Sequence, residues 1–415
     1  MIDRSRPRVV FLGTHGQHNI GDELLLETFL QHFGDDLHYV VNTYDPAFTG
    51  DQLAGRYSVT LVDTAGDRAK LLRHLLGADR LVFGGGSIVK ELYASTGRNR
   101  YSTLLMILAI VTFARRVARL PVAMFNIGVG PITTSTGQWL ARLILRQVDI
   151  VTVRDPGSQA LCASLGIEAR LAADAVFSVD PGWLIGEAAP ALAGSDTPLR
   201  IGLNLNYDIE NPDNWDHFTG QLAEALRQLA ETRPIELHAL PMQSRFKKHD
   251  DARMLRDFAR RIPHIPFVHD RPATYQDAAR LIAGCHLVVS ERLHAVVMAS
   301  LLGVPTFVLA YDTKVRELAM MLGLDEYTVD INRPFPVAAI EAPLRRLCED
   351  LGGARERLIP NVARLSRSSR QSLAEAHSWV RSDRASRRER RHGTPSSPNS
   401  QLPVRAQAQP RKEPT

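Results

Sequence analysis

The sequence predicts an α/β protein of two doubly wound, Rossmann-like domains facing across a cleft. Three observations predict it. Short apolar strands alternate with helical runs along most of the chain. The alternation breaks at one small, Pro-containing, turn-rich stretch and then restarts. Charged residues gather where strands end, which is where sheets of this kind bind ligands.

The first series opens with "RVVFLG" (8–13), followed by a helical pattern from Asp22 to Phe33 and then "LHYVVNTY". "RLVFGGGS" (80–87) ends a strand in glycines, and "PVAMFNIG" (121–128) and "DIVTVRD" (149–155) are further short apolar strands beside helical runs. Apolar strands separated by helices imply parallel sheets covered on both faces. The break, "GEAAPALAGSDTP", falls near 186–198. The second series runs "LRIGLNLN" (199–206), a helix over 214–231, "PIELHALP" (234–241), a helix over 250–261, "FVHD", a helix over 274–283, "CHLVVS", a helix over 294–302, and "PTFVLA". The expected division is therefore an N-terminal domain over 1–185, a linker over 186–198, a C-terminal domain over 199–380 and a disordered basic tail over 381–415.

Length and composition agree. A chain of 415 residues with 44% hydrophobic content can bury two large cores. The net charge of +5 is concentrated in the tail, where nine Lys/Arg stand against three acids, so the body is nearly neutral. A nucleic-acid binder would carry a basic stripe, and none is expected here. The tail lacks aromatics and is rich in Pro, Ser and Arg, a composition that does not fold. Cys162, Cys285 and Cys348 are scattered, without a CxxC pair, which argues against a disulfide scaffold or a zinc site. No metal site is expected. The most apolar run, "TLLMILAIVTFARRVARL" (103–120), is too short in its uncharged part for a membrane span. It reads as a buried or half-buried helix, with contact between Arg115, Arg116, Arg119 and a membrane surface as the second reading.

Four strand ends carry candidate chemistry. "GTHGQHNIGDE" offers Gly13, Gly16 and Gly21 for a tight turn, then Asp22 as the expected helix cap. Two acids at that helix start disfavour a phosphate, so Asn19 and Asp22 are expected to meet neutral hydroxyls. No Gly-Lys-Ser/Thr follows, which excludes a Walker loop. "FGGGS" could present the backbone of Gly85 and Gly86 to a ligand, or form only a turn. "VTVRD" places Arg154 at a strand end, with Asp155 read as the cap of the next helix. In "SERLHA", Arg292 and His294 are two apart and would share a face if both lay on a strand. Arg292 offers a planar fork for a carboxylate or phosphate, and His294 a proton near neutral pH. Lys314 follows at the next strand end, as an anchor or as a plain helix-start residue.

The set "NIGDE" (19–23), "GGGSI" (84–88), "VRD" (153–155), "SERLHA" (290–295), "GVP" (303–305) and "YDTK" (311–314) resembles the polysaccharide pyruvyl transferase family, over roughly residues 8 to 325. The resemblance implies a two-domain fold like that of GT-B glycosyltransferases. It implies transfer of a pyruvyl group from phosphoenolpyruvate to a sugar as a cyclic ketal, in bacterial exopolysaccharide or cell-wall polymer biosynthesis. It associates Arg292 with donor binding and His294 with proton donation, and Arg154 is assigned as the donor-holding arginine of the other domain.

That chemistry suits the residues. The donor is a carboxylate and a phosphate on one small frame, so it needs at least two cations, supplied by Arg292, Arg154 and Lys314. His294 is the candidate general acid. Asp22 is the first candidate to accept a hydroxyl proton, and Asp174 the second. No cofactor is expected beyond the donor substrate. The expected partners are phosphoenolpyruvate and a sugar acceptor, lipid-linked or free, without nucleic acid. The expected place is the cytoplasm, with peripheral contact at the inner membrane surface left open. Two other functions share these features. One is a GT-B-type glycosyltransferase using a nucleotide sugar, with Glu291 on the ribose. The other is a non-catalytic paralogue in polysaccharide assembly.

Overall fold

A computed structural model describes residues 6–92, 98–186, 198–207, 211–245 and 250–382. Most of the expected linker, and the tail beyond 382, lie outside the described residues.

The first sheet is built from β1 (Arg8–Leu12), β2 (His38–Thr43), β3 (Ser58–Asp63), β4 (Arg80–Gly84), β5 (Ser87–Val89), β6 (Val122–Val129), β7 (Ile150–Val153) and β8 (Arg170–Leu171). Its order is β3-β2-β1-β4-β6-β7-β8, with β5 paired to β6. The connecting helices are α1 (Ile20–Phe33), α2 (Pro46–Leu53), α3 (Arg68–Leu76), α4 (Ser102–Arg116), α5 (Ser135–Leu145) and α6 (Pro156–Ser164), with α7 (Pro181–Ile185) closing this half. The second sheet contains β9 (Leu199–Asn204), β10 (Ile235–Ala239), β11 (Phe267–Val268), β12 (Leu287–Ser290), β13 (Thr306–Ala310) and β14 (Thr328–Asp330), in the order β11-β10-β9-β12-β13-β14. Its helices are α8 (Trp215–Thr232), α9 (Asp251–Ala259), α10 (Tyr275–Ala283), α11 (Leu293–Leu301), α12 (Thr313–Leu322), α13 (Ala338–Glu349) and α14 (Leu351–Arg381).

Every described strand pairing within the two sheets is parallel, as the uninterrupted apolar strands require. Both sheets reverse their strand order once, between β1 and β4 and between β9 and β12. Those switch points open crevices at the carboxyl ends of the strands, where "GTHGQHN", "GGGS" and "SERLH" lie. This is the expected fold, two Rossmann-like α/β domains.

Two helices are buried almost all round and serve as the inner layer. On α1, Leu24, Leu25, Leu26, Phe29, Leu30 and Phe33 are all buried, and α11 is buried from Ala295 through Leu301. Each such side chain contributes about 1.5–3 kcal/mol on leaving water. The 103–120 run becomes α4, whose inner side buries Leu104, Ile107, Val111 and Ala114 while Leu105 and Met106 face outward. Among the described residues no helix is long and apolar enough to cross a membrane.

The stretch 199–380 includes a returning element. The end of α14 packs on the first sheet, where the Arg80 guanidinium lies 5.5 Å from the Trp379 ring and Trp379 meets Phe125 edge-on. The Ser372 hydroxyl donates to Asn126 Oδ1 (2.8 Å), and Ser369 donates to the Ala175 carbonyl (3.0 Å).

Candidate active site

The arrangement begins at the end of β7. Arg154 follows the last strand residue and turns inward, so that its side chain is only 5% exposed. Its Nη1 donates to Asp174 Oδ2 (2.9 Å) and its Nη2 to Ser87 Oγ (2.9 Å), while Nε is buried without a hydrogen-bond partner. Asp174 also accepts the Val176 backbone N–H (3.1 Å). Its other neighbour comes from the second domain. His294 Nε2 lies 3.6 Å from Asp174 Oδ2 and is likewise buried without a hydrogen-bond partner. Burial alone would raise the Asp174 carboxyl, but His294, Arg154 and the Val176 N–H outweigh it and hold it well below the usual carboxylate range.

His294 belongs to the first turn of α11, and Arg292 is the N-cap, because β12 ends at Ser290. Of the two arrangements open from the sequence, a shared strand face or His294 at the start of the next helix, the second is the one found. The turn after Ser290 sends them apart, His294 toward Asp174 and Arg292 toward Asp251.

Arg292 is clamped. Its Nη2 donates to Asp251 Oδ1 (2.6 Å) and to Gln243 Oε1 (2.9 Å), and its Nε to Asp251 Oδ2 (3.1 Å). Asp251 is fully buried and also accepts the backbone N–H groups of Met242 and Gln243. Lys314 sits in the first turn of α12, with Nζ 2.7 Å from Asp312 Oδ2 and 4.9 Å from the Tyr311 ring centroid. Each expected cationic anchor is thus paired with a carboxylate.

The glycine-rich loop differs in detail from expectation. The helix starts at Ile20, and Asn19 rather than Asp22 is its cap, its Oδ1 accepting the Gly21 N–H (3.1 Å). Asn caps by the same geometry as Asp, and here the glycine turn delivers Asn19 to that position first. Asp22 falls in the first turn and is partly exposed. The same loop touches the second domain, because Ile20 N donates to the Met242 carbonyl (2.9 Å). Gly85 and Gly86 both adopt positive φ, 65° and 68°. Gly85 packs under Leu25 and gives its N–H to the Phe125 carbonyl (2.9 Å), so it serves the turn rather than a ligand. Gly86 is more open, with Thr14 the nearest neighbour an added Cβ would meet, at 3.7 Å.

Beside Arg154 lies a cavity of ≈ 140 Å³ lined by Ser87, Lys90, Gly128 to Pro131, Asp155, Ser158, Asp312 and Lys314, among others. Asp155 caps α6, accepting the Ser158 N–H (2.7 Å), as its place before Pro156 suggests. Residues of both domains line it, with the first turns of α6 and α12 opening on it. Lys90 lacked any signal beyond following a glycine-rich strand end. Glu23 carried one, since a charged side chain beside a run of leucines on a helix buried almost all round has nowhere polar to go, whereas His15, in the glycine-rich loop, carried none. Glu23 is buried, takes the Gly16 N–H on Oε1 (2.7 Å) and is pushed up to about 8, mainly by burial. His15 is buried with neither ring nitrogen hydrogen-bonded and is lowered to about 3 by burial. Glu291 is fully buried and accepts from Asn206 Nδ2 (3.0 Å), so it does not present itself to a ribose.

The family model for polysaccharide pyruvyl transferases matches residues 19–313, which contain Asn19, Asp22, Gly85, Gly86, Arg154, Arg292 and His294 and stop one residue short of Lys314. The chain belongs to the polysaccharide pyruvyl transferase family. No curated protein sequence matches it. Solved structures similar to this pyruvyl transferase family member share its fold alone. UDP-GlcNAc 2-epimerase from Neisseria meningitidis aligns with TM-score 0.56 and 10% identity, covering 89% of this chain and 100% of that one. The UDP-GlcNAc 2-epimerase of Methanocaldococcus jannaschii aligns with TM-score 0.55 and 14% identity over 90% and 99% of the two chains. An O-GlcNAc transferase mutant from Thermobaculum terrenum aligns with TM-score 0.51 and 17% identity over 91% of this chain and 67% of that one. These neighbours have the GT-B-like architecture expected from the sequence.

Proposed function

We propose that this pyruvyl transferase family member moves the pyruvyl group of phosphoenolpyruvate onto two hydroxyls of one sugar, as a cyclic ketal, in bacterial polysaccharide assembly. The observation that carries the reading is the Arg154–Asp174–His294 chain, which joins the two domains beside a cavity that Lys90 and Lys314 line together with Asp155 and Asp312.

Each group has a task. Arg154, Lys314 and Arg292 bind the carboxylate and phosphate of the donor, with Lys90 beside them. His294, positioned beside Asp174, gives its Nε2 proton to C3 of the enol, and C2 becomes electrophilic. A sugar hydroxyl attacks C2, and its proton goes to the neutral imidazole, restoring His294. A second hydroxyl of the same sugar then forms the second C–O bond as the C2–O bond to phosphate breaks. Its proton leaves through Asp22 to phosphate. C2 ends with a methyl, a carboxylate and two ring oxygens. Asn19 and the Gly86 turn lie at the crevice where the acceptor would rest. Phosphoenolpyruvate is a cytosolic metabolite, which places the reaction in the cytoplasm.

Thermal melting with millimolar phosphoenolpyruvate, beside a panel of nucleotide sugars, tests the donor. A ligand binding only the native state adds about 2.7 kcal/mol at a hundredfold excess over its Kd. The expected result is stabilisation by phosphoenolpyruvate that weakens in Lys314→Ala. Stabilisation by a nucleotide sugar alone would overturn the reading in favour of glycosyl transfer. No response to either would favour a non-catalytic role.

A further inference from the structure

We infer that the outer face of α3, α4 and α5 is a docking surface for an anionic lipid bilayer.

The three helices lie on the same side of the first sheet. Leu75 of α3, Leu104, Ile107 and Val111 of α4, and Leu140 and Ile144 of α5 all enter one core cluster, with α4 in the middle. A helix packed on a sheet normally turns a polar side to water. α4 does not: from Ser102 to Ala114 it has no charged residue. Its outward positions are Leu105, 51% exposed, Met106, 39%, and Ala109. Trp139 of α5 is 58% exposed, and Leu72 and Leu76 of α3 are 37% and 59% exposed. Single exposed apolar residues are ordinary, but a Trp, a Met and three Leu on neighbouring helices make a patch.

The charge on these helices is of one sign. α3, α4 and α5 contain no acid, and they carry Arg68, Lys70, Arg73, Arg115, Arg116 and Arg142. Arg115 is paired with Asp149 (2.8 Å), but Arg116, Arg119, Arg142 and Arg146 are exposed at the carboxyl ends of α4 and α5. Exposed Arg100 stands at the other end, before α4, 3.9 Å from the Glu91 carboxylate. An apolar band with cations at its rims matches a bilayer surface, where Trp and Leu enter the acyl boundary and Arg meets headgroup phosphates. A soluble acidic partner would match the cations but leave the apolar band without a role.

The face also adjoins the cavity. Tyr101 Oη meets Thr134 Oγ1 (3.1 Å) where α4 and α5 begin, and Glu91 caps that corner through Thr133 and Thr134. Lys90 and Pro131, next to these residues, line the cavity. Docking would therefore hold the cleft at the membrane, where an acceptor on a lipid carrier is presented. That last step rests on the proposed function, whereas vesicle binding does not.

The test is flotation of the full chain with vesicles of phosphatidylcholine alone and of phosphatidylcholine mixed with phosphatidylglycerol. Binding is expected only to the mixed vesicles and should fall with added salt. Leu105→Glu/Trp139→Glu should lower the partition at least tenfold, and Arg116→Gln/Arg119→Gln by roughly fivefold per cation removed. Melting of each variant, with and without phosphoenolpyruvate, checks that fold and donor site are intact. Absence of binding by the unmodified chain overturns the inference. So does unchanged binding of both variants, which would assign binding to another part such as the basic tail. A concentration-dependent dimer lost in Leu105→Glu/Trp139→Glu, without vesicle binding, would assign the face to a second copy instead.

Discussion

Gly21 and His294 face each other across the two domains with no room between them. A Cβ built on Gly21 would lie 2.6 Å from the His294 Cβ and closer still to Nδ1. The helix that opens the first domain therefore forms one wall of the imidazole's slot, and Asp174 forms another.

Gly21→Ala should consequently displace the ring. A misplacement of about 1 Å at a reacting group costs on the order of a hundredfold in rate. The expected outcome is that loss in kcat with donor affinity little changed, read from steady-state kinetics and donor titration. Normal kcat in this variant would remove the slot from the mechanism.

His294→Gln keeps much of the shape and removes the transferable proton. Turnover should collapse while phosphoenolpyruvate binding, followed by calorimetry, changes less than about threefold, since His294 is asked for general acid catalysis worth 10²–10⁴. Binding lost together with turnover would show His294 to be a donor ligand.

Asp174→Asn should cost stability as well as rate. It leaves the Arg154 guanidinium buried without its carboxylate, and breaking such a pair from one side costs about 3–5 kcal/mol. Arg154→Met/Asp174→Asn should recover part of that loss in a denaturant melt. The folded-state carboxyl is depressed, so the pair's contribution is complete above the ordinary aspartate range and is lost only in strong acid.

The first crevice should impose opposite limits on pH stability. Glu23 is raised from 4.5 to about 8, so its share of stability is complete below 4.5 and declines as pH rises toward 8. His15 is lowered from 6.5 to about 3, so its share is complete above 6.5 and declines as pH falls toward 3. Melting curves of Glu23→Gln should flatten on the alkaline side and those of His15→Phe on the acid side. An unchanged pH profile in both would remove these groups as the cause.

Arg292→Ala is a poor probe of donor binding by itself. It strands Asp251, which is fully buried, and should lower the melting temperature before any ligand is added. Arg292→Ala/Asp251→Ala separates the effects. Weak donor binding in a double variant with restored stability would place Arg292 on the donor, whereas normal binding would make it a clamp.

The sequence made the sheets legible wherever a strand is an uninterrupted apolar run, as in "RVVFLG" or "PTFVLA". It marked β11 through "FVHD" but not β8, because a two-residue edge strand with both residues exposed leaves no apolar pattern. Arg154, Arg292, His294 and Lys314 were legible as charges at strand ends. Their partners were not. That Arg292 turns to Asp251 and His294 to Asp174 is decided by the chain bend after Ser290, and no spacing encodes it. The Gly21–His294 contact is legible only as a glycine without an evident reason, since the ring it makes room for comes from the other domain.

The returning helix α14 has a consequence for how the site comes into being. Ser369 holds the Ala175 carbonyl, and Ser372 holds Asn126, whose amide in turn donates to the Ala173 carbonyl (2.7 Å). Both carbonyls flank Asp174. The carboxylate that governs His294 is thus fixed by residues near the last described turn of the chain. On a ribosome, the first domain would emerge with its strands complete and its acid–base partner still loose. Only when α14 leaves the exit tunnel can residues 173–175 settle. A protein cut short before Ser369 would carry every motif of the family without the bonds that hold residues 173–175.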